Sequence, residues 1–344
     1  MIFREREKHR YQTIKQDLFS PIACQSGIYS KNNRRFDFCL NVARENLHES
    51  LRQDAIDYFT ARNITWHDGS VFDGKLLPSN HLCCSQSACV NSLWHLAVNP
   101  EFLAATFRPL YPELAEPLPM TADGLLPNGQ APYLSFEWVG TPPTSYLGER
   151  GRPMRGASAT SADFAFRFRR TDGKIHLVLG EWKYTEFYSN QENKAVGHAG
   201  QARLLTYWPA FEKWQCRQPE LPPYPNFFRE PFYQLMRLTL LAQEMEDERV
   251  LGRGEMDADI VSVLLVVPEA NREFTHNLKA FPALQQYGNT VGKAWSAIAP
   301  EDRFHSISTE SLYATFAHTC PPPLANWLAY LLKRYAWEQP EAAV

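Results

Sequence analysis

The hydrophobic pattern predicts a β-hairpin between residues 161 and 188. Two apolar stretches flank residues 171–173, a three-residue loop in which Gly173 supplies the positive φ that such loops require. With Arg170 placed opposite Lys174, antiparallel pairing fixes the register of all the other residues. Because successive side chains of a strand point to opposite faces, the phenylalanines of the first strand share one face of the hairpin.

The same register places Asp163 directly opposite Glu181, and Lys183 follows on that face two residues later. Directly opposed side chains have Cβ atoms about 4.5–5.5 Å apart, where like charges destabilise the pair. Two carboxylates at the end of an otherwise apolar hairpin therefore call for a cation between them. A surface hairpin whose end carries ordinary solvated charges is the alternative, but the run VLGEW is too apolar for a solvated strand end.

The rest of the pattern predicts helices and strands on both sides of the hairpin. Apolar residues recur at helical spacing over residues 36–62, 85–98, 195–211, 232–245, 309–318 and 324–335. A strand is predicted over residues 133–139, and the continuous β-branched run at 259–267 predicts a strand covered on both faces. Residues 109–132 and 219–231 are rich in proline and are predicted to be connections. This order predicts an α/β protein whose central mixed sheet is flanked by helices.

Composition restricts the classes of protein that fit the chain. The 344 residues suffice for one large or two ordinary domains, and 44% hydrophobic with 21% charged residues exclude a disordered chain. The longest apolar run, at 260–268, is too short to cross a bilayer, and the charged N-terminus lacks the apolar stretch of a secretory signal. We therefore expect a cytoplasmic protein with no membrane partner. Because the formal net charge is −3, any affinity for nucleic acid must come from local patches.

Two other groups of residues have a functional and a structural interpretation. Residues 1–40 carry several lysines and arginines, and we favour a solvated terminal helix over a basic arm that contacts phosphates. His81, Cys83, Cys84 and Cys89 suggest zinc, but their spacing fits no common zinc module. The seven cysteines of the chain include no CxxC pair, so we predict packed, reduced thiols.

The residues at the end of the hairpin have the chemistry needed to hydrolyse a phosphodiester. Two carboxylates with open positions left for water and phosphate suit Mg²⁺ or Mn²⁺ rather than zinc. Such a metal polarises a phosphoryl oxygen and orients an attacking water. Lys183 on the same face is placed to position or deprotonate that water, or to neutralise charge that develops on the phosphate.

Asp163 followed by Glu181-Trp182-Lys183 matches the signature of the PD-(D/E)xK, or restriction-endonuclease-like, nuclease superfamily. The context GEWKYTEFY also resembles a family of uncharacterised restriction endonucleases. This resemblance implies that Asp163 and Glu181 bind the metal, that Trp182 adds a backbone carbonyl ligand, and that Lys183 serves the water. Ala162 stands where the superfamily often has proline, which is a common departure. The superfamily's αβββαβ core also agrees with the predicted order of elements.

The resemblance suggests three supporting residues, each with an open alternative. A third acidic residue is frequent upstream of the aspartate, and Glu137 is the candidate, although it is equally well a surface residue of an edge strand. A similar helix precedes the nuclease core in the resembling family, so Gln86 either faces the active site or has a structural role there. Gln234, on the helix after the catalytic strands, is either a site residue or a solvated residue near a helix N-terminus.

Arg150, Arg152 and Arg155 lie among glycines directly before Asp163. A flexible basic loop beside a metal site is where DNA phosphates bind, so we predict phosphate contacts for these arginines. A solvated loop is the alternative.

We expect a nuclease core over residues 85–270, an N-terminal helical and basic extension over 1–84, and a C-terminal helical extension over 271–344. The tail either packs on the core or forms a dimer face. The predicted activity is metal-dependent hydrolysis of DNA phosphodiester bonds in restriction or phage defence, with a homodimer if both strands are cut. A structure-specific repair or recombination nuclease and a catalytically silent binding or regulatory protein are the alternatives. The intact catalytic signature argues against the silent protein.

Overall fold

A central β-sheet organises the computed structural model, which describes residues 1–72, 74–126, 128–142, 144–149, 154–156, 159–188, 193–279, 281–335 and 337. The strands are β1 (Ser26–Tyr29), β2 (Arg34–Leu40), β3 (Ser70–Phe72), β4 (Lys75–Leu77), β5 (Leu114–Leu118), β6 (Leu134–Trp138), β7 (Ala162–Arg170), β8 (Ile175–Trp182), β9 (Ile260–Val267) and β10 (Phe304–Ser308). The helices are α1 (Phe3–Ile14), α2 (Glu49–Ala61), α3 (Ser85–Ala97), α4 (Pro100–Phe107), α5 (Gly197–Arg217), α6 (Phe232–Val250), α7 (Arg272–Thr275), α8 (Val291–Ser296), α9 (Thr309–Thr319) and α10 (Ala325–Tyr335).

The central sheet has six strands and mixed direction, as the sequence predicts. Its main path runs β10-β9-β8-β7-β5, and β6 also pairs with β7. The strands β8, β9 and β10 are parallel, whereas β5, β6 and β8 all run antiparallel to β7. Every residue of β9 is buried, which confirms the prediction of a strand covered on both faces. The chain is therefore an α/β protein with a central mixed sheet flanked by helices.

The β7–β8 hairpin has the register that the sequence predicts. Phe164 pairs with Gly180 and Ala165 with Leu179, so the sum of paired residue numbers is constant, and Gly173 has a φ of 85° in the loop. Gly180 is required at its position because a Cβ there would lie 2.2 Å from ring atoms of Phe164. The ladder continues toward the strand end that carries the predicted carboxylates.

Alternation along the hairpin divides the core into two layers. Phe166 and Val178 belong to a cluster of buried side chains that also contains residues of α3, α4 and α10. Leu177 and Leu179 belong to a second cluster, together with residues of α5, α6 and α8. Because Glu181 shares the odd-numbered face with these leucines, it points toward the α5 and α6 side of the sheet.

Three parts of the sequence prediction need correction. The helix predicted over residues 36–62 begins only at Glu49, because residues up to Leu40 form β2 and pair with β1. The alternating run RRFDFCL has the strand period of two, which the helical interpretation overlooked. β5 lies within the proline-rich connection, where Pro117 is tolerated because an edge strand leaves one side of its backbone unpaired. β10 was not predicted.

The two terminal extensions pack against the core. α1 buries Phe3, Glu7 and Tyr11, so it is a docked helix rather than the solvated one that the sequence suggested. α10 buries Trp327 and Tyr335 in the same cluster as α3 and α4, which supports packing of the tail on the core. The boundaries of the three segments and the homodimer stay predictions. None of the described helices is both long and apolar enough to span a membrane.

Candidate active site

The structure brings the predicted catalytic residues together at one end of the β7–β8 hairpin. The backbone N–H of Trp182 donates a hydrogen bond to Oδ2 of Asp163 over 2.7 Å, which joins the two strands at this end. The ammonium of Lys183 lies 2.5 Å from Oε1 of Glu181. Glu181 and Lys183 are only 4% and 6% exposed, and Asp163 is partly exposed. A solvated strand end, the alternative interpretation, does not describe these residues.

The electrostatics of this cluster favour a positive charge beside Asp163. Burial raises the pKa of Asp163 well above its ordinary value, and the nearby carboxylate of Glu181 raises it further. Burial, the largest single influence, lowers the pKa of Lys183, but Glu181 and the other acidic groups around it together outweigh burial. The net pKa of Lys183 is therefore raised, and the side chain stays an ammonium. One ammonium thus serves two crowded carboxyl groups, and a further cation would stabilise both.

Glu137 joins the site from the neighbouring strand β6. Its flanking residues pair as Phe136 with Phe164 and Trp138 with Ala162, so the β6–β7 register sets Glu137 opposite Asp163. The backbone of Glu137 has a φ of 51°, an uncommon conformation for a residue other than glycine. Backbone outliers of this kind cluster at functional sites, which favours a site role for Glu137 over a surface one.

The environment of Glu137 shifts its acidity and holds its orientation. Burial raises the pKa of Glu137 to about 7, the hydrogen bond from Gln86 opposes this shift, and Glu181 adds to it. Gln86 donates from Nε2 to Glu137 over 2.6 Å and to the carbonyl of Thr65 over 3.1 Å. The Gln86 carbonyl accepts from the backbone N–H of His67 over 2.8 Å. Gln86 is therefore a positioning residue for Glu137.

The backbone carbonyl of Trp182 is held by a side chain that the sequence did not single out for this role. Cys84 is the N-cap residue of α3, and its sulfur accepts from the N–H of Ser87. The hydroxyl of the next residue, Ser85, donates to the carbonyl of Trp182 over 3.0 Å. A carbonyl oxygen has two lone pairs, so this contact orients the oxygen while leaving it able to bind a metal.

The donor set fits a hard divalent cation. It consists of the carboxylates of Asp163 and Glu181 and the carbonyl of Trp182, and oxygen donors of this kind suit Mg²⁺ or Mn²⁺. Among the residues that the structure describes, no three histidine, cysteine, aspartate or glutamate side chains form a group that could hold a metal ion. Cys83 and Cys89 are packed in the core, in keeping with the prediction of packed thiols.

Arg155 has a structural role that differs from the predicted phosphate contact. Its guanidinium forms an ion pair with the buried Asp123 and donates to the hydroxyl of Tyr58 over 2.8 Å and to the carbonyl of Phe136 over 3.1 Å. These contacts fasten the loop before β7 to α2 and β6, and they occupy the donors that a phosphate would need. Arg150 and Arg152 lie outside the described residues.

Two residues at the start of α6 border the site. Gln234 accepts a hydrogen bond from the hydroxyl of Tyr188 over 3.2 Å, which ties it to the segment that follows Lys183. Glu230 is buried, and Lys183 and Glu181 are among the charges that act on it. The sequence pattern offers no signal for Glu230, because it stands in a proline-rich connection between Arg229 and Pro231.

Comparison with known proteins was made at three levels. A family model described as restriction endonuclease associating with ARP matches residues 21–336. No curated protein matches the chain. No solved structure matches it either. Because the family model covers nearly the whole sequence, including the candidate site, the chain belongs to this family of restriction endonucleases.

Proposed function

We propose that this protein is a metal-dependent endonuclease that hydrolyses DNA phosphodiester bonds in restriction or phage defence. Family membership supports the nuclease class and the defence role. The observation that carries the catalytic assignment is the convergence of Asp163, Glu181 and Lys183 at the buried end of one hairpin. These residues match the catalytic signature that the sequence predicts, in both type and register.

Asp163, Glu181 and the carbonyl of Trp182 would hold the metal. Mg²⁺ or Mn²⁺ bound there supplies a Lewis acid that polarises the phosphoryl oxygen and lowers the pKa of a bound water. Ser85 orients the carbonyl through its hydrogen bond, and the Trp182 N–H orients Asp163. The protein thus presents its oxygen donors already oriented, so little reorganisation is needed when the metal binds.

Lys183 and Glu137 carry the charge and proton steps of the proposed reaction. The Lys183 ammonium, which the surrounding acidic groups together keep charged, stabilises the negative charge that develops on the phosphate. A group with a pKa near 7 takes up and releases a proton most effectively at neutral pH, and Glu137 has such a pKa. We assign to Glu137 the acceptance of a proton from the attacking water, with Gln86 fixing the orientation of its carboxylate.

Cleavage of supercoiled plasmid with Mg²⁺ or Mn²⁺ tests the proposal. Lys183→Met and Asp163→Asn should each lower the cleavage rate by about 100-fold or more, because the first removes the cation that stabilises the phosphate charge and the second removes a charged metal ligand. Asp172→Asn and Lys174→Met are matched controls in the exposed loop of the same hairpin and should cleave as the wild type does. Circular dichroism spectra of all four variants establish that they are folded.

The cleavage assay also separates the rival functions. Faster cutting of branched or flapped DNA than of plain duplex would favour a structure-specific repair nuclease. If the wild type cuts duplex, branched, single-stranded and modified DNA no faster than Lys183→Met, the catalytic proposal is wrong and a binding or regulatory role remains.

Partners are a further part of the proposal. DNA is the substrate that a restriction endonuclease implies. The family description states an association with ARP, and we propose the same association for this chain. Cleavage of both strands in one binding event uses two active sites, which favours a homodimer, and light scattering after size-exclusion chromatography measures this directly. A monomer on cleavable duplex DNA would refute the dimer.

A further inference from the structure

A polar cavity of about 630 Å³ lies beside the candidate active site. Its walls come from α5, the start of α6 and the segment that leads into β7. It is lined by Glu149, Ala159, Lys194, Ala202, Arg203, Thr206, Tyr207, Glu230, Tyr233 and Arg237. Because α5 and α6 cover the sheet face to which Glu181 points, the cavity and the catalytic residues share one side of the sheet.

Cationic side chains and aromatic rings form one part of this cavity. Lys194, Arg203 and Arg237 contribute three positive charges. The guanidinium of Arg237 lies 5.3 Å from the ring centre of Tyr233 and 5.9 Å from that of Tyr207. Planar cations and aromatic faces are the groups that proteins use to hold the phosphates and bases of a single nucleic-acid strand.

Glu230 is the exceptional member of the lining. It is 7% exposed, and its Oε2 has no hydrogen-bond partner among the residues that the structure describes. By contrast, Glu149 accepts hydrogen bonds from the backbone and hydroxyl of Thr160 and from the hydroxyl of Tyr207. A buried acceptor without a donor is costly, so Glu230 lacks a group that a ligand would supply.

The occupant must therefore satisfy opposite requirements within one cavity. The Glu230 carboxylate would repel a simple anion, and the three positive side chains would repel a simple cation. A nucleotide meets both requirements, because its phosphate is an anion and its base carries hydrogen-bond donors. The cavity volume is also within the range of about 300–1,000 Å³ that small-molecule sites occupy.

We propose that this cavity is a subsite for one nucleotide of the DNA strand, adjacent to the cleaved bond. Arg203, Arg237 and Lys194 bind its phosphate, and Glu230 accepts a hydrogen bond from an amino group on the base. Carboxylates characteristically accept from N4 of cytosine, so cytosine is the base that this subsite favours. The inference rests on the proposed function, and it requires the nucleotide to leave the base stack.

Binding of labelled 12-nucleotide strands, measured by fluorescence anisotropy in EDTA at pH 7.5, tests the subsite without any catalysis. The wild type should bind the all-dC strand about 10-fold more tightly than the all-dT strand, the ratio expected for one discriminating contact. Glu230→Met should abolish this preference, and Glu230→Gln should reduce it, because a neutral acceptor forms a weaker hydrogen bond.

A second variant and a control separate phosphate binding from base selection. Arg203→Ala should weaken binding of both strands alike and lower the salt dependence by about one released ion. Glu244→Gln lies on α6 outside the cavity, where Glu244 pairs with Lys213, and should bind as the wild type does. Melting curves identify any variant that fails to fold.

Two results would overturn the proposal. One is equal affinity of the wild type for the dC and dT strands. The other is a dC preference that survives in both Glu230 variants. These outcomes are independent of cleavage: a chain that prefers dC but cuts nothing contradicts only the proposed function. A chain that cuts with Mg²⁺ but binds both strands alike contradicts only the subsite.

Discussion

Glu137 provides the sharpest test of the site's electrostatics. Burial raises the pKa of this carboxyl from 4.5 to about 7, despite the hydrogen bond from Gln86. The folded state therefore binds the proton more tightly than the unfolded state. The free energy of unfolding is therefore highest at low pH, where both states carry the proton. It falls as the pH rises from 4.5 through about 7, because the unfolded chain releases this proton before the folded one does. Replacement of Glu137 by glutamine removes the titrating group and keeps an acceptor for Gln86.

The size of this change in the free energy of unfolding follows from the shift in the pKa of Glu137. The difference between the folded and unfolded pKa values lowers the free energy of unfolding by about 3 kcal/mol at pH 8, where the group is ionised in both states. At pH 5 the carboxyl is still neutral in the folded state, and the free energy of unfolding is lowered by only about 1 kcal/mol. The stability that Glu137→Gln gains over the wild type should therefore be larger at pH 8 than at pH 5, by roughly 2 kcal/mol in the free energy of unfolding.

Urea unfolding in EDTA, followed by circular dichroism at both pH values, measures this difference. The chelator keeps metal from stabilising the wild type at pH 8. Glu116→Gln, an exposed glutamate on β5, is the control and should shift the midpoint equally at both pH values. If Glu137→Gln also shifts the midpoint equally at pH 5 and pH 8, the raised pKa is wrong, and so is the proton-accepting role that depends on it.

Two further predictions concern residues that hold the site in place. Gly180→Ala should destabilise the protein by about 1–3 kcal/mol, since its Cβ would overlap the ring of Phe164; an unchanged urea midpoint would contradict the packing described for β7 and β8. Arg155→Met should cost about 1–3 kcal/mol in the same assay, because it removes one of the two cations that pair with the buried Asp123 and leaves Arg62 in place; the folded variant should bind DNA with unchanged affinity. Weaker DNA binding with undiminished stability would instead support the phosphate contact that the sequence predicts for Arg155.

The sequence predicts the β7–β8 hairpin well because the information that defines it is local. A loop with glycine at residue 173 fixes the register, and the period of two assigns every side chain to a face. Asp163 and Glu181 therefore follow from counting along two adjacent strands. The buried strand β9 is predicted for a similar reason, since its unbroken β-branched run has few alternative structures.

Other features depend on contacts between distant parts of the chain. Arg155 looks like a flexible basic residue among glycines, and only the fold brings it to Asp123, 32 positions earlier. Glu230 gains its unusual environment from charges that include Glu181 and Lys183 at the end of β8, about 50 residues earlier in the chain. β10 has only five residues, and among the described strands it pairs with β9 alone; so short a run carries little strand signal.

The terminal helices α1 and α10 contribute directly to the position of Lys183, the proposed catalytic lysine. Tyr184 immediately follows Lys183, and its hydroxyl contacts both Glu7 and Tyr11 of α1. Tyr11 in turn accepts from the buried guanidinium of Arg334 in α10 over 3.4 Å. Removal of either extension would leave buried polar groups of this chain without partners, at a cost that would fall on the residue next to Lys183. The helices at both ends of the chain therefore help to fix the segment that follows β8.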